Sequence, residues 1–338
     1  MSEWRYVATR LNGNGTETVL EPDLPLSDVS ITKTLSGPDG LSGDLKPEFA
    51  RLILGDSLLI QPWSTAIYAE KDGQIRAGCI VTDRRVHNEV LEIEAAGFCG
   101  YLSEMPYLGQ MEYANADPTA IVAAIWTHVQ SYPGGNLGLQ VSLPATPART
   151  GPLGQNSQTR DPVTGQFKRD DGPRSVLLSW KETHDLGRVV TSLAKGAPFD
   201  FIEEHVWVGD SIEHRLVGGY PALGRRRLDL RFVVGENVLT PPDILGDGEG
   251  YASEVLVLGA GEGEAMIRAQ AARASETRLR RVAVVNQSSI GTQAQANALS
   301  TYTLERLNGA PVISTLEVTD HPNAPLGAFT MGDEIYVD

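Results

Sequence analysis

The chain has 338 residues, 41% of them apolar, and a formal net charge of −15. That length accommodates two or three domains with cores of their own, and 43 acidic against 28 basic residues argue against the clustered positive charge that grips nucleic acid. No apolar run is long enough to span a membrane, and Met1-Ser-Glu-Trp-Arg-Tyr6 lacks the basic and apolar regions of a secretory signal, so assembly in a cytoplasm is expected.

Residues 4–101 read as all-β. Trp4, Tyr6 and Ala8 alternate ahead of Asn12-Gly-Asn-Gly15, a hairpin turn. After the turn-rich Ser36-Gly-Pro-Asp-Gly40 come candidate strands at 52–61, 65–71, 74–84 and 89–98, with Asp72-Gly73 closing a tight hairpin. A run of short strands with turn signals suggests a small barrel or sandwich. Within it, pairing 75–82 with 89–98 about a turn near Val86 sets Cys79 and Cys99 several rows apart, beyond the roughly 7 Å limit for a bridge. Two buried thiols are expected, and two cysteines are in any case too few for a disulfide framework or zinc site.

The period then changes. Asp117-Pro118 is an N-cap with proline at the first helical position, and Ile121, Val122, Ile125 and Val129 share one helical face before Gly134-Gly135 ends it. A short strand at 137–143 follows. Residues 144–173 are rich in Pro, Gly, Thr, Asn and Arg without apolar periodicity, and are expected to form a long loop lying outside the packed domains and contacting a partner. A second helix is predicted over 183–196, then a strand over 199–208 with Phe201, Glu203, His205 and Trp207 on one side; 214–217 and 227–234 are its expected partners. The middle region is therefore α+β.

The last third has predicted strands at 252–258 and 280–286, a helix over 292–307 stopped by Asn308-Gly309, and a strand over 312–319. At the end of the chain, Gly332-Asp333 followed by Ile335 and Val337 echoes Gly55-Asp56 followed by Leu58 and Ile60. Gly-Asp makes a tight turn and the alternation reads as a half-buried strand. Two copies nearly a chain apart suggest two related β-modules flanking something different.

Sites of chemistry are hard to find. Val255-Leu-Val-Leu-Gly-Ala-Gly-Glu-Gly-Glu264 has a strand, a Gly-rich turn and a possible helix, yet Glu264 breaks the dinucleotide fingerprint and Glu262 would face the phosphates. Histidines 87, 128, 184, 205, 214 and 321 offer no zinc helix; His205 and His214 alone could approach each other across paired strands, beside Glu203. Glu203 and Glu204 point to opposite faces of a strand and cannot act as a glycosidase pair. There is no Gly-x-Ser-x-Gly elbow, and His184-Asp185 reads as a helix start. Trp63, Tyr68, Tyr101, Tyr107 and Tyr113 read as core aromatics. Arg225-Arg-Arg227 is expected at a turn-to-strand edge or in a salt-bridge cluster with an acidic neighbour. No catalytic, cofactor-binding or metal-ligating residue is assigned.

Several segments carry a resemblance. Asp117-Pro-Thr-Ala-Ile-Val-Ala-Ala-Ile-Trp-Thr-His-Val-Gln130, Pro133-Gly-Gly-Asn-Leu-Gly138, Gly219-Tyr-Pro-Ala-Leu-Gly224, Val257-Leu-Gly-Ala-Gly-Glu-Gly263, Arg278-Leu-Arg-Arg-Val282 and Asp320-His-Pro-Asn-Ala-Pro-Leu-Gly327 with Gly332-Asp333 resemble, in wording and order, minor tail proteins of mycobacteriophage-like actinobacteriophages. The likeness spans essentially the whole chain and is weakest over 144–173. At fold level it implies the siphovirus tail-tip or baseplate hub family, in which two tail-tube-like β-barrel domains flank α+β domains. The implied division is an N-terminal barrel over 1–104, an α+β middle over 105–235 with its loop at 144–173, and a C-terminal barrel-type domain with one helix over 236–338. That last barrel ends at its Gly-Asp strand, so completion by a neighbouring chain is one expectation and an early end of the sequence is another.

The implied function is structural, not enzymatic. The chain would be the homotrimeric hub of a virion tail tip, assembled in the host cytoplasm, with the distal tail ring, the tape measure protein and other minor tail or tip proteins as partners. DNA would pass its lumen without specific binding, no membrane anchor or cofactor would be needed, and the arginines at 225–227 and 278–281 would face protein partners. Two competitors are a tail-associated enzyme degrading cell wall or glycan, which zymography on host walls would reveal, and a carbohydrate-binding receptor protein, which glycan-array binding would reveal.

Overall fold

The N-terminal strands build one antiparallel sheet, from hairpins between neighbouring strands joined by two pairings between strands far apart in the chain, residues 4–10 with 65–71 and residues 40–45 with 91–96. The strands are β1 (Trp4–Leu11), β2 (Glu17–Glu21), β3 (Ser27–Thr32), β4 (Gly40–Leu45), the two-residue β5 (Ile53–Leu54) and β6 (Ser57–Leu58), β7 (Thr65–Lys71), β8 (Gln74–His87) and β9 (Val90–Gly97). In this computed structural model the seven-stranded order is β2-β1-β7-β8-β9-β4-β3, with β5 and β6 paired only with each other. The structure describes the chain except at residues 1–3, 47, 49–52, 55–56, 88–89, 151–158, 161–166, 169–174, 198, 242–243, 246–250, 262, 275–277, 288–289, 309–311, 314 and 338.

All seven residues of β7 are buried, because it lies near the middle of the sheet with a core on each side. One core collects Ala8, Leu41, Ile67, Cys79, Val81 and Ile93. The other collects Val7, Tyr68, Ile80, Phe98 and Cys99 with the helices of the middle region. Successive strand residues face opposite sides, so Ile67 and Tyr68 feed different cores. Cys79 pairs in register with Gly97, two residues before Cys99. The cysteines are therefore closer in register than the sequence suggested, but their side chains enter different cores and both are free.

After a 3-10 turn (Phe98–Leu102) come β10 (Gln110–Tyr113), helix α1 (Pro118–Gln130), β11 (Leu139–Ser142), β12 (Thr159–Arg160), β13 (Phe167–Lys168), β14 (Val176–Ser179), helix α2 (Leu186–Gly196), β15 (Asp200–Val208) and β16 (Ser211–Gly219). Asp117 caps α1, its side chain accepting from Thr119 N–H at 3.1 Å. Asp185 caps α2 through Arg188 N–H at 3.0 Å. The expected β15–β16 pairing is present, but the third strand is β11, parallel to β16, and not residues 227–234. Both helices pack on the core shared with the N-terminal sheet.

The remaining elements are β17 (Ile244–Leu245), β18 (Glu254–Leu258), β19 (Arg268–Ala272), β20 (Val282–Asn286), helix α3 (Gln293–Leu307) and β21 (Val312–Ile313). β19-β18-β20 form a sheet whose inner face, Val255, Val257 and Ala269, packs on Ala296, Leu299 and Leu304 of α3. Thr292 and Gln295 form a capping box at the helix start. Residues 225–238 do not extend any sheet. Leu230, Phe232 and Val238 pack instead with Leu316, Phe329, Ile335 and Val337, a cluster that joins both sides of the expected 235/236 division.

Two expectations are therefore corrected. The N-terminal sheet ends in two edges, β2 and β3, so it is open as hydrogen-bonded; the C-terminal third is a three-stranded sheet with a helix. Among the described residues no closed barrel forms. The predicted strand at 312–319 shortens to Val312–Ile313, and the closing Gly-Asp segment makes isolated bridges, Glu334 to Arg226 and Val337 to Phe232, instead of a continuous ladder. Its N-terminal echo, Gly55-Asp56, lies outside the described residues.

Candidate functional site

The β15–β16 register sets His205 opposite His214, and Glu203, two residues earlier, shares the face of His205. That face points into the seam between the N-terminal sheet and the middle region. Glu203, His205 and His214 are all buried. The Glu203 carboxylate accepts from the backbone N–H groups of Phe98 (2.7 Å) and Cys99 (2.8 Å), at the start of the 3-10 turn. An ideal Cβ on Gly97 would fall 2.5 Å from Glu203 Oε2, and one on Gly78 would fall 2.7 Å from both His205 Cδ2 and the Tyr68 ring. Two glycines thus make room for the acid and the imidazole.

From β2, Glu17 reaches the same seam. Its Oε1 faces His214 Nε2 at 2.9 Å and accepts from the Tyr68 hydroxyl at 2.6 Å, while Oε2 accepts from Thr9 Oγ1 at 2.7 Å. The two histidine Nδ1 atoms lie 2.9 Å apart. Glu17 is an acceptor and takes a hydrogen bond from His214 Nε2, and of the two facing Nδ1 atoms one donates and the other accepts. His205 Nε2 is buried without a hydrogen-bond partner, 3.9 Å from Glu203 Oε2, which is too far for a hydrogen bond. Phe98 and Tyr68 enclose the pair, the Phe98 ring 4.8 Å from His205 and 4.5 Å from His214 by centroids.

Burial lowers the pKa of His205 and keeps it neutral near pH 7. Burial pushes Glu17 and Glu203 upward, but His214, Tyr68 and Thr9 facing Glu17, and the backbone N–H donors on Glu203, outweigh it, and both carboxyls sit below the usual range. Nearby, Lys33 is paired with Asp39, whose pKa burial raises. The thiols of Cys79 and Cys99 are pushed up by burial, the opposite of an activated nucleophile. Among the described residues no group of three or more His, Cys, Asp or Glu side chains is arranged to hold a metal ion, and the two Nδ1 atoms face each other. Chemically the arrangement is a buried polar seam, hydrogen-bonded except at His205 Nε2, that fastens β15 and β16 to β1, β2, β7 and the 3-10 turn.

The other residues singled out from the sequence are scattered. His128 stacks on Tyr107 (4.1 Å between centroids), His184 Nε2 accepts from Ser179 N–H (3.2 Å), His321 Nδ1 accepts from Asn323 N–H (3.2 Å), and His87 is exposed. Tyr68 and Tyr107 are core residues as expected, but Trp63 is 56% exposed. The Gly-rich run at 257–263 turns β18 into β19, an antiparallel hairpin and not a strand-to-helix crossover, with Gly259 N–H bonded to the Ile267 carbonyl; Glu262 lies outside the described residues. Residues 144–150 are pinned to the start of α1: Thr146 N–H donates to Asp117 Oδ2 (2.6 Å) and Thr150 N–H to the Ala116 carbonyl (2.9 Å). Beyond them, β12 and β13 pair as a short ladder; most of the expected loop lies outside the described residues.

Arg225-Arg-Arg227 meets acids of its own chain. Arg226 pairs with Glu334 (2.9 Å), and Arg227 with Asp229 (2.7 Å) and Asp333 (3.2 Å). Arg225 N–H donates to Asp333 Oδ1 at 2.9 Å. Within the chain the run forms an intramolecular clamp on the Gly332-Asp333 turn. An ideal Cβ on Gly224 would lie 2.3 Å from the Gly332 carbonyl, and one on Gly332 would lie 2.5 Å from the Leu223 carbonyl. A second joint has the same construction. Gly15 N–H donates to the Asn136 carbonyl (2.9 Å), Asn136 N–H to the Gly13 carbonyl (3.2 Å), and a Cβ on Gly13 would meet Gly134 Cα at 2.7 Å. It ties the β1–β2 turn to the end of α1. An apolar cavity of about 140 Å³ lies between α2, α3 and residues 147–150, lined by Leu193, Ala197, Tyr220, Ile290 and Leu299.

No protein-family model and no curated protein matches the chain. Solved structures similar to it include the 43 kDa tail protein of prophage MuSo2 from Shewanella oneidensis (14% identity over 89% of this chain and 78% of that one, TM-score 0.47). Others are a tail protein from Neisseria meningitidis MC58 (13%, 86% and 74%, 0.43) and prophage tail protein gp18 from Listeria monocytogenes EGD-e (9%, 88% and 76%, 0.48). At these identities and TM-scores, neither fold nor function transfers from them to this chain.

Proposed function

We propose that the chain is a structural protein of a phage tail: the trimeric hub of a siphophage tip, joining the distal ring of the tube to receptor-facing proteins and bounding part of the DNA path. The observation that carries the reading is the placement of the segments that resemble minor tail proteins. Residues 133–138 and 219–224, the latter with 332–333, form joints of the framework, closed backbone to backbone through glycines. Segments used in this way suit a scaffold that transmits force better than a cleft that binds a substrate. The divisions 1–104, 105–235 and 236–338 would be the parts of that scaffold.

In a conduit, the wall facing DNA should not hold phosphate. The cis-neutralised arginines 226 and 227 suit that requirement, and a chain at −15 supplies carboxylates whose repulsion reaches about 8 Å at physiological salt. Gold-labelled antibody against the chain, applied to purified particles of the phage that encodes it, tests the reading. Label at the free end of the tail is expected. Label confined to the capsid, or none on particles, would reject it.

A further inference from the structure

Strand β20 is an edge of the β19-β18-β20 sheet. Its bonding to β18 is bracketed by Glu254 N–H to the Arg281 carbonyl (3.1 Å) and Gln287 N–H to the Leu258 carbonyl (2.9 Å). Residues along a parallel ladder bond alternately to the two sides. Ala283 and Val285 therefore bond to β18, while Val282, Val284 and Asn286 present N–H and C=O to the open side. Among the described residues nothing pairs with that side.

Folded proteins blunt such edges with charges, bulges or prolines. The seven-stranded sheet does so: edge β2 carries Glu17 and Glu21, and edge β3 carries Asp28 and a register break between Ser27 and Ser30. β20 reads Val-Ala-Val-Val-Asn, with no charge, proline or register break. Val282 and Val284 are 41% and 53% exposed, and Leu279 just before them is 89% exposed. Val284 lies beside Leu256 on the face that α3 leaves uncovered. The entrance to the strand is basic, since Arg278, Arg280 and Arg281 are all exposed. Arg278 is held over the Tyr251 ring (4.7 Å) and Arg280 against Glu254 (2.6 Å), which fixes two of these cations at that end.

We propose that β20 is a docking edge that receives an extended acidic segment of another protein as a fourth, antiparallel strand. The incoming apolar side chains would extend the Leu256–Val284 face, and its C-terminal carboxylates would lie beside Arg281 at the basic entrance to the strand. Backbone bonding supplies affinity and the arginines supply direction. A second copy paired antiparallel through β20 would set these arginines against the uncharged Asn286-Gln287 end, so charge favours a different protein. The inference rests on the edge alone and holds whether or not the chain is a tail protein.

The test is fluorescence anisotropy with the full chain and a short labelled peptide of alternating threonine and valine ending in glutamates; the control peptide ends in lysines. The glutamate peptide should bind about tenfold more tightly or better, with the difference shrinking in about 0.5 M salt. Arg281→Glu should abolish or reverse the preference. Val284→Pro removes one outward N–H and leaves the bonds to β18 in place, and should weaken binding about tenfold or more; Val284→Lys replaces it if the proline variant does not fold. Equal or absent binding of the two peptides, or unchanged binding by a folded Val284 variant, overturns the proposal. Self-association of the wild type that a Val284 variant abolishes also overturns it, because the edge then belongs to a second copy.

Discussion

Replacing Glu203 with leucine tests the seam most sharply. Glu203 is 3% exposed and its carboxylate is the acceptor for Phe98 and Cys99 N–H at 2.7 and 2.8 Å. Leucine keeps the volume but leaves both buried donors without a partner. Each orphaned donor costs about 1–3 kcal/mol, while removing a buried charge returns part of its desolvation penalty. The net loss for Glu203→Leu should be about 2–4 kcal/mol. Glu203→Gln, with one acceptor oxygen left, should lose about half as much. Urea unfolding followed by circular dichroism gives the total. Hydrogen exchange at the amides of residues 98 and 99 locates it, since those two should lose protection first. A Glu203→Leu protein within about 0.5 kcal/mol of wild type, with both amides still protected, would refute the claim that this carboxylate fastens the 3-10 turn.

Three further outcomes follow from the same geometry. His205 has a folded pKa below its ordinary 6.5, so the unfolded chain takes up a proton that the folded protein refuses; its contribution is full above about pH 6.5 and falls as pH drops below it. Glu17 and Glu203, held below their ordinary 4.5, add a second loss as pH falls through their folded values. Urea midpoints measured from pH 7.5 downward should therefore decline, and His205→Gln should flatten the first part of the decline. At the β1–β2 joint, Gly13→Ala places a Cβ 2.7 Å from Gly134 Cα, whereas Gly134→Ala meets nothing within 4 Å. Both have positive φ, so Gly134→Ala should cost about 1–2 kcal/mol and Gly13→Ala clearly more in thermal melts. Gly224→Ala, driven into Gly332 at 2.3 Å, should release the clamp, seen as faster proteolysis within residues 320–337.

Helices were the most legible part of the sequence: Asp117-Pro118 marks the observed start of α1, the helix expected over 292–307 is found at Gln293–Leu307, and the one expected over 183–196 begins at Leu186. In the first hundred residues β1, β7, β8 and β9 were legible as strands, whereas β2, β3 and β4 were not and the expected strand at 52–61 gives only the two-residue β5 and β6; closure was not legible either, since edges are decided by pairing far along the chain. Residues 227–234 alternate like a strand but turn at 228–229; β11 takes the place beside β16, and Phe232 goes to the cluster with Phe329. The approach of His205 and His214 followed from strand period and a plausible hairpin. Glu17 as the outer end of that network did not, because its distance from His214 is set by the β1–β7 pairing and nothing near Glu17 signals it. The arginine run was visible as charge, but its acids, Asp333 and Glu334, lie more than a hundred residues away. The glycine joints were visible only as motifs; that Gly13 faces Gly134 and Gly224 faces Gly332 is a property of the tertiary structure.

The most direct test of the central claim is an electron cryomicroscopy reconstruction of the intact particle, focused on the tail end and built without imposed symmetry. The account predicts three copies of this chain in a closed ring between the tube and the receptor-facing proteins, with an inner face that is acidic or neutral and with Arg226 and Arg227 still clamped to Glu334, Asp229 and Asp333. A particle whose tail end lacks the chain, a two-fold or monomeric arrangement, or a lumen lined by those arginines would contradict it.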